Sequence, residues 1–430
     1  MYQNVFQTFI PALLAGLLVS SCAGTGFTGF SYDPEGVEDT SDKKTFSQYY
    51  RSIGFSGDGV WFSNEYEGAR MNDAYRIGKY HYRIVIDPEN EPINNSPWYG
   101  FKVWADQPAE IKVELVYPVS EQRYIPKLSH DGEAWQVIED KHFEKDSTRN
   151  AGLLHLNVSP DTLWVSAQET RTTESLSDWL GNMKSKPFIN TQTIGYSHNG
   201  RPLKLLKATS ISGEPQKGVI LIFSRQHPPE LPGYIASLEF IEVLTSEQPL
   251  AREFREYFDI WAFPMINPDG ADEGHWRHNA AGVDLNRDWE HFNQPETRAV
   301  REALLDLKKR PNKKVYYAID FHSTSSNIFY PIERQYDTFP KHFTYDWAEH
   351  IIKEFPELEL DVQPFDTSSP IAKNWTFKTF GADAVTFEID DEIDRDLLNR
   401  YATGSAEIFM EKMIEAYLEH THQMAEKSDP

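Results

Sequence analysis

The chain has 430 residues, of which 40% are hydrophobic and 13% are aromatic, so it can bury the cores of two or three domains and is not an unfolded chain. Its formal net charge of −24 would repel nucleic-acid phosphates, which excludes nucleic acid as an expected partner. The single cysteine, Cys22, excludes an intramolecular disulfide.

The N-terminal segment has features of an export signal. Residues 9–18 are uncharged and mostly apolar, and the sequence V-S-S-C follows and ends at Cys22. This resembles the signal peptide of a bacterial lipoprotein, although residues 1–8 lack the usual Lys or Arg. The resemblance implies a signal peptide over residues 1–21, a lipid on Cys22 and a flexible tether over residues 22–46. Because Ala23 rather than an aspartate follows the cysteine, it also implies that the exported protein is lipid-anchored at the outer membrane of the bacterial cell envelope. The alternative is an uncleaved anchor, for which the apolar stretch is short.

Residues 47–168 carry short segments in which apolar and polar residues alternate. Turn-forming residues separate these segments, for example at residues 87–90. Alternation with a period of two and closely spaced turns predict an all-β antiparallel sandwich domain. Trp98 and Trp104 are expected in its core rather than in a glycan-binding surface. The strand candidates are residues 82–86, 98–104, 111–117 and 163–165.

Between about residue 169 and residue 425, strand-like runs alternate with segments of helical length. In residues 296–310, Val300, Leu304 and Leu307 fall on one helical face. This alternation predicts an α/β catalytic domain with a mixed, mostly parallel sheet flanked by helices, and such sheets bind ligands at the carboxyl ends of their strands. The predominantly apolar runs, typical of strands buried on both faces, are residues 219–223, 258–266, 315–321 and 384–389.

Three residues that follow apolar runs are candidate metal ligands. His227 and Glu230 are separated by two prolines, and a His and a Glu held in this way at the end of a buried strand can offer two ligands to one Zn²⁺. His130 and Glu133 have the same spacing but lie in a polar, Gly-containing segment that is typical of a surface turn. His322 is the candidate third ligand, because a catalytic zinc needs three protein ligands and one open position.

Charged side chains also follow the other runs. Arg277 and Arg287 can each grip a carboxylate through two parallel hydrogen bonds, and Asn286 adds a neutral donor. Surface salt bridges are the alternative role for both arginines. Glu388 projects from an apolar strand, where a carboxylate is costly unless it is paired or functional. Beside a metal site it would suit the role of general base.

Taken in order, these segments resemble the M14 zinc carboxypeptidase family, and in particular its cytosolic-carboxypeptidase-like branch, in which a β-sandwich precedes the catalytic domain. The resemblance extends from about residue 193 to residue 390. It implies a peptide substrate and one Zn²⁺ per chain, bound by His227, Glu230 and His322. The motifs that carry it are H-P-P-E at 227–230, N-P-D-G at 267–270, G-V-D-L-N-R at 282–287, D-F-H-S at 320–323 and T-F-E at 386–388.

The resemblance also implies a role for each remaining candidate. Asp284 would hydrogen-bond His227 and fix its tautomer. Arg277 would polarise the scissile carbonyl and hold the oxyanion, and Glu388 would take a proton from the attacking water and pass it to the leaving amine. Two residues would bind the terminal carboxylate of the substrate: Asn286 and Arg287.

One family feature has no match, and one residue suggests a specificity. Many members carry a tyrosine on a mobile loop before the catalytic glutamate, and residues 361–381 contain none. Trp375, Phe377 or Phe380 would close the site instead, or no residue does. Lys373 falls near the position of the family's pocket-floor residue, where a cation would favour an acidic terminal side chain. The alternative is an exposed loop lysine.

The predicted function is therefore that of a zinc metallocarboxypeptidase that hydrolyses the C-terminal peptide bond of peptides and prefers acidic terminal residues. One alternative is an envelope amidase or peptidase that acts on the γ-D-Glu linkage of peptidoglycan stem peptides. The other is a catalytically silent binding protein, which the presence of all three ligands, Arg277 and Glu388 disfavours.

Overall fold

The structure, a computed structural model, describes residues 44–146, 148–210, 217–365 and 367–428. The predicted signal peptide, the predicted lipidation site Cys22 and nearly all of the predicted tether lie outside the described residues. In the part of the chain that is described, no helix combines the length and the apolar character needed to cross a membrane.

The N-terminal part of the described chain is built of two β-sheets. All neighbours in the first sheet are antiparallel, and its strands in spatial order are β1 (Ser52–Phe55), β2 (Val60–Ser63), β5 (Gly100–Ala105), β11 (Leu163–Ser166), β7 (Lys127–Ser129) and β8 (Gln136–Val137). The strands of the second sheet in spatial order are β3 (Asp73–Gly78), β4 (His81–Val85), β6 (Ala109–Val116), β10 (Ala151–Val158) and β9 (Phe143–Asp146).

These two sheets confirm the predicted fold class of this region, with one difference. Strands β4 and β6 run parallel, whereas the other pairs of the second sheet are antiparallel. The reason lies in the connection between them, because the chain leaves the second sheet after β4, forms β5 in the first sheet and then returns to β6. Parallel neighbours require a crossover of this kind.

The two tryptophans expected in the sandwich core have different environments. Trp98 is buried, and its indole N–H donates a hydrogen bond to the carbonyl of Gly68 at 2.7 Å. The prediction for Trp104 is wrong, because its side chain is only half-buried and lies beside Trp61, with ring centroids 6.3 Å apart. Side chains alternate along β5, so its odd-numbered positions face the core and Trp104 faces outward.

The C-terminal part of the described chain is an eight-stranded mixed sheet flanked by helices, as predicted. Its strands in spatial order are β12 (Ile189–Tyr196), β13 (Pro202–Ala208), β15 (Phe258–Phe263), β14 (Lys217–Ser224), β16 (Lys313–Thr324), β19 (Asp383–Asp390), β17 (Ile328–Pro331) and β18 (Asp361–Val362). The helices are α1 (Thr173–Met183), α2 (Leu231–Leu244), α3 (Pro249–Tyr257), α4 (Pro268–Glu273), α5 (Pro295–Lys308), α6 (Phe343–Glu354), α7 (Ala372–Phe380) and α8 (Arg395–Ser428).

The centre of this sheet is buried on both faces. In β14, Ile220 and Ile222 belong to one apolar core, whereas Leu221 and Phe223 belong to a second core on the opposite face. The first core is covered by α2, α3, α6 and α8, and the second by α5 and α7. Burial on both faces is the reason for the continuous apolar runs in the sequence.

Strands β15, β14, β16 and β19 are mutually parallel, so their carboxyl ends meet at one edge of the sheet. His227 follows β14 by three residues, His322 lies near the end of β16, and Glu388 lies near the end of β19. Helix α2 starts against this edge because residue 233 is a glycine. A Cβ atom at Gly233 would collide with the carbonyl oxygen of His322, and the Gly233 N–H donates to Ser323 Oγ at 2.7 Å.

Candidate active site

The three predicted metal ligands lie together at the carboxyl edge of the sheet. Their ligand atoms fall within 4.8 Å of one another, and all three residues are buried. The carboxylate of Glu230 lies between the two imidazoles, with Oε1 2.8 Å from Nδ1 of His227 and Oε2 2.7 Å from Nδ1 of His322. Two imidazole nitrogens and one carboxylate converging on a point form a donor set that suits zinc.

A second carboxylate faces the other nitrogen of each imidazole. Asp284 Oδ1 lies 2.9 Å from Nε2 of His227, and Asp320 Oδ2 lies 3.0 Å from Nε2 of His322. A carboxylate beside Nε2 favours a proton on that nitrogen, so Nδ1, which faces Glu230, is the nitrogen that each ring can offer to a cation. The two aspartates therefore favour the tautomer that a metal site requires.

Asp320 was not identified from the sequence. Both of its carboxylate oxygens accept hydrogen bonds from Gln226 Nε2 at 2.9 Å, and Gln226 Oε1 in turn accepts from the indole N–H of Trp289 at 2.8 Å. Asp320 is 1% exposed, so the hydrogen bonds fix a carboxylate that would otherwise be costly to bury. Its position two residues before His322 in an apolar strand was the available signal, because residues i and i+2 share a face.

Arg277 is joined to the metal ligands through Asp284. Its Nε donates to Asp284 Oδ2 at 2.7 Å, while Oδ1 of the same carboxylate contacts His227. Burial opposes ionisation of Asp284, but Arg277, His227 and Arg287 hold its pKa well below the usual value. Arg277 is itself 1% exposed, so its guanidinium is fixed at the floor of the site rather than free in solvent.

Asn286 and Arg287 differ in how they are held. Asn286 is fully buried, its Nδ2 lies 3.1 Å from Nε2 of His322, and its Oδ1 accepts from the N–H of Ala372 at 3.0 Å. Its amide therefore links a candidate ligand to the start of α7. Arg287 is half-buried and donates through Nη1 to the carbonyl of Asn286 at 2.8 Å, so part of its guanidinium borders solvent.

Glu388 lies directly across from His322 in the parallel pairing of β16 and β19, so the two side chains share a face of the sheet. It is 4% exposed, and within the described residues its Oε2 has no hydrogen-bond partner. Burial raises the pKa of Glu388, with His322 opposing this shift. A cation held by the neighbouring ligands would also oppose the rise in the pKa of Glu388. The opposing effects of burial and of the cation suit a carboxylate that accepts a proton near neutral pH.

Lys373 is not an exposed loop lysine, so that interpretation is wrong. It lies in the first turn of α7 and is fully buried, with Nζ donating to the carbonyl of Phe365 at 2.9 Å and to that of Pro331 at 3.3 Å. The preceding residue, Ala372, donates its N–H to Asn286 Oδ1, so the start of α7 contacts the candidate site.

The aromatic residues expected to close the site belong largely to the core. Trp375 packs against Trp289 and Phe292 at centroid distances of 5.6 and 5.3 Å, and Phe380 packs on Trp375. Tyr330 on β17 is a residue that the sequence did not suggest. It is paired with Thr386, on the same face as Glu388, and burial and the charge of Glu388 raise its pKa to about 12.

Two residues from the sandwich region also reach this edge of the sheet. Arg123, between β6 and β7, donates through Nε and Nη2 to Asp391 Oδ2 at 2.9 and 2.6 Å. Gln168 donates to the carbonyl of Asp391 at 2.9 Å. Asp391 follows Glu388 by three residues, so the sandwich fixes the end of the strand that carries the candidate base.

Comparison with known proteins agrees with this geometry. Residues 176–363 match the M14 peptidase family model, described as zinc carboxypeptidase. This stretch of the chain is thus similar to the zinc carboxypeptidases of the M14 family. Within that class, its relatives include cytosolic carboxypeptidases.

Two of these relatives and one solved structure define the extent of the similarity. The chain is 32% identical to cytosolic carboxypeptidase 6 of Mus musculus over 174 residues, which cover 37% of this chain and only 32% of the mouse protein. It is 22% identical to cytosolic carboxypeptidase 6 of Caenorhabditis elegans over 342 residues, or 71% of this chain and 74% of the nematode protein. The metallo-carboxypeptidase of Burkholderia cenocepacia has the same fold, with a TM-score of 0.70 at 17% identity over 83% of this chain and 99% of that chain.

Proposed function

We propose that the protein is a zinc-dependent metallocarboxypeptidase that hydrolyses the C-terminal peptide bond of peptides. The observation that carries the proposal is the convergence of His227, Glu230 and His322 beside Glu388, whose Oε2 has no hydrogen-bond partner in the described part of the chain. Zinc held by these three residues would lower the pKa of a water molecule to about 7 and polarise a carbonyl group. Glu388 then accepts the proton of the attacking water and returns it to the leaving amine.

The other residues bind and orient the substrate. Arg277 stabilises the negative charge that develops on the scissile carbonyl oxygen, because its guanidinium is already oriented by Asp284 and needs no rearrangement. Arg287 binds the terminal carboxylate of the substrate, as its partial exposure supports. The amide of Asn286 supports this role through its contacts with His322 and Ala372.

The proposed preference is for acidic terminal side chains. A buried ammonium group beside the substrate site attracts a carboxylate, since the charges interact more strongly away from water. Lys373 supplies such a group, because its Nζ is buried and is held by the carbonyls of Pro331 and Phe365.

The decisive experiment measures release of the C-terminal residue by zinc-loaded protein that starts after Cys22. The panel contains short peptides that end in L-Glu, L-Leu, L-Arg or a D-residue, together with a γ-D-Glu stem peptide. We expect cleavage of the L-terminated peptides, and the variant Glu388→Gln should lower kcat by roughly 10²- to 10⁴-fold while keeping its zinc. Cleavage of the stem peptide alone would replace the proposal with cell-wall chemistry, and no cleavage by zinc-loaded protein would refute it.

The specificity is tested with Lys373→Met and the matched control Lys378→Met, which changes an exposed lysine on the same helix. We expect the ratio of kcat/KM for Glu-terminated over Leu-terminated peptides to fall in the first variant and to stay unchanged in the second. An unchanged ratio in a folded Lys373→Met protein would refute the role of this residue.

We also propose that the protein is exported and anchored by a lipid on Cys22 at the outer membrane. The apolar stretch and the position of the single cysteine support this proposal. Labelling of cells with a fatty-acid analogue should mark the wild-type chain and leave Cys22→Ser unmarked. Equal labelling of the two would refute it.

A further inference from the structure

The strongest link between the sandwich region and the candidate active site is a buried carboxylate. Glu89 follows β4 and is fully buried. Its Oε2 accepts a hydrogen bond from the backbone N–H of Trp276 at 2.8 Å, and its Oε1 accepts from the N–H groups of Arg277 and His278 at 3.0 and 2.7 Å. One carboxylate from the sandwich thus binds three consecutive backbone donors around the arginine that faces the scissile carbonyl.

The next residue holds the other end of the same segment. Asn90 Nδ2 donates to the carbonyl of Gly282 at 3.0 Å, and Asn90 Oδ1 lies 2.6 Å from Nδ1 of His278. Gly282 has a φ of +76°, and a Cβ there would collide with the Asn90 amide, so this approach requires glycine. Asp284, the partner of both Arg277 and His227, follows two residues later.

We propose that Glu89 and Asn90 are positioning residues that set the place of Arg277 and Asp284 in the active site. The inference rests on the proposed function, because the position of Arg277 matters for the rate only if this arginine stabilises the reacting carbonyl. The sandwich is on this view a structural part of the catalytic centre and not only a separate module joined to it.

The charge of Glu89 is maintained in the folded protein. Burial alone would raise its pKa, but the nearby side chains of His275, His278 and Arg70 and the hydrogen bond from the His278 N–H lower it to about 2. Hydrogen bonds to an ionised acceptor are stronger than those to a neutral one. Glu89→Gln keeps the size of the side chain but removes the charge and one acceptor atom, so the three N–H groups lose part of their fixation.

The test compares Glu89→Gln with Glu114→Gln. Glu114 is also a buried carboxylate of the sandwich, but its partners Arg83, Arg149 and His81 belong to the sandwich. For Glu89→Gln we expect unchanged zinc content, a KM close to that of the wild type and a kcat lower by roughly 10- to 100-fold, since small displacements of catalytic groups have effects of this size. Glu114→Gln should lower the melting temperature without a change in kcat.

Amide hydrogen exchange supplies a measurement that does not depend on activity. The amides of Trp276, Arg277 and His278 should exchange faster in Glu89→Gln than in the wild type and at the wild-type rate in Glu114→Gln. The variant Asn90→Ala provides a second test if Glu89→Gln does not fold, and it should accelerate exchange near Gly282 and lower kcat less. A wild-type protein without peptidase activity would refute the proposed function. The exchange rates would still test whether Glu89 fixes the backbone around Arg277. An unchanged kcat or unchanged exchange in folded Glu89→Gln would overturn the inference.

Discussion

Two His-x-x-Glu segments of this chain have the same spacing and different environments. His130 and Glu133 are exposed at the turn between β7 and β8, where the Asp131 carboxylate accepts the N–H groups of Glu133 and Ala134 at 2.8 Å each. His227 and Glu230 are buried after β14 and face His322. The comparison shows that the His-x-x-Glu spacing alone does not create a metal site. A third ligand must also lie close to the two residues.

The difference arises from the neighbouring strands. Strand β14 runs parallel to β16, so both strands place a side chain at the same edge of the sheet. The neighbours of strand β7 are antiparallel and end at the opposite edge, and among the described residues no third ligand joins His130 and Glu133 at the turn. Parallel pairing in the centre of a sheet is therefore the structural requirement that the segment of His130 and Glu133 lacks.

The largest effect is expected from removal of a ligand. His227→Ala leaves two ligands for the metal, so the purified protein should lose its zinc and its carboxypeptidase activity, whereas His130→Ala should keep both. Metal analysis after gel filtration and a peptide-release assay measure these outcomes. A full zinc content in His227→Ala would contradict the assigned ligand set.

A smaller effect is expected from the carboxylate that orients His322. Asp320→Asn weakens the hydrogen bond from Nε2 of the ring, so the zinc affinity should fall by roughly 10- to 100-fold. Competition with a chelator measures the dissociation constant. Asp131→Asn is the matched control in the exposed turn, and an equal zinc affinity in both variants would show that Asp320 does not orient the ligand.

The close approach of α2 to β16 should be sensitive to one methyl group. Gly233→Ala forces the helix away from the carbonyl of His322, which should lower the free energy of unfolding by about 1–3 kcal/mol. Gly181→Ala in α1 is the control, because a Cβ there has no neighbour within 4 Å and the substitution favours the helix. Urea denaturation of both variants compares the two positions, and equal stabilities would contradict the predicted collision.

The smallest effect is expected at the exposed turn. Gly132 has a φ of +81°, so Gly132→Ala should lower the free energy of unfolding by roughly 1–2 kcal/mol and leave zinc content and kcat unchanged. Thermal denaturation together with the metal analysis measures this. A loss of zinc in this variant would mean that the turn is coupled to the metal ligands, contrary to the comparison.

Much of the catalytic region could be predicted because it follows from burial. The apolar runs before His227, at His322 and around Glu388 correspond to β14, β16 and β19, since strands buried on both faces leave a continuous apolar signature. The candidate ligands could be identified because they directly follow or end these runs. Helix α7 could not be predicted, because its sequence A-K-N-W-T-F-K-T-F has no simple apolar stripe and its stability comes from packing on the core.

The residues that were not predicted depend on distant partners. Glu89 lies in a P-E-N segment that indicates only a turn, and its backbone partners are 187 to 189 residues away. Asp320 appears as an interruption in an apolar run until its contacts with Gln226 and His322 are known. Trp104 is of a residue type that is usual in cores. Only the inward direction of its neighbours in β5 shows that its side chain faces away from the sandwich core.

The bond between Arg123 and Asp391 joins residues 268 positions apart. A ribosome completes the sandwich long before it reaches the strand that carries Glu388. In the newly made sandwich, Arg123, Glu89 and Asn90 therefore still lack their partners in the C-terminal part of the chain. The candidate active site can therefore assemble only after the strand that carries Glu388 has been made.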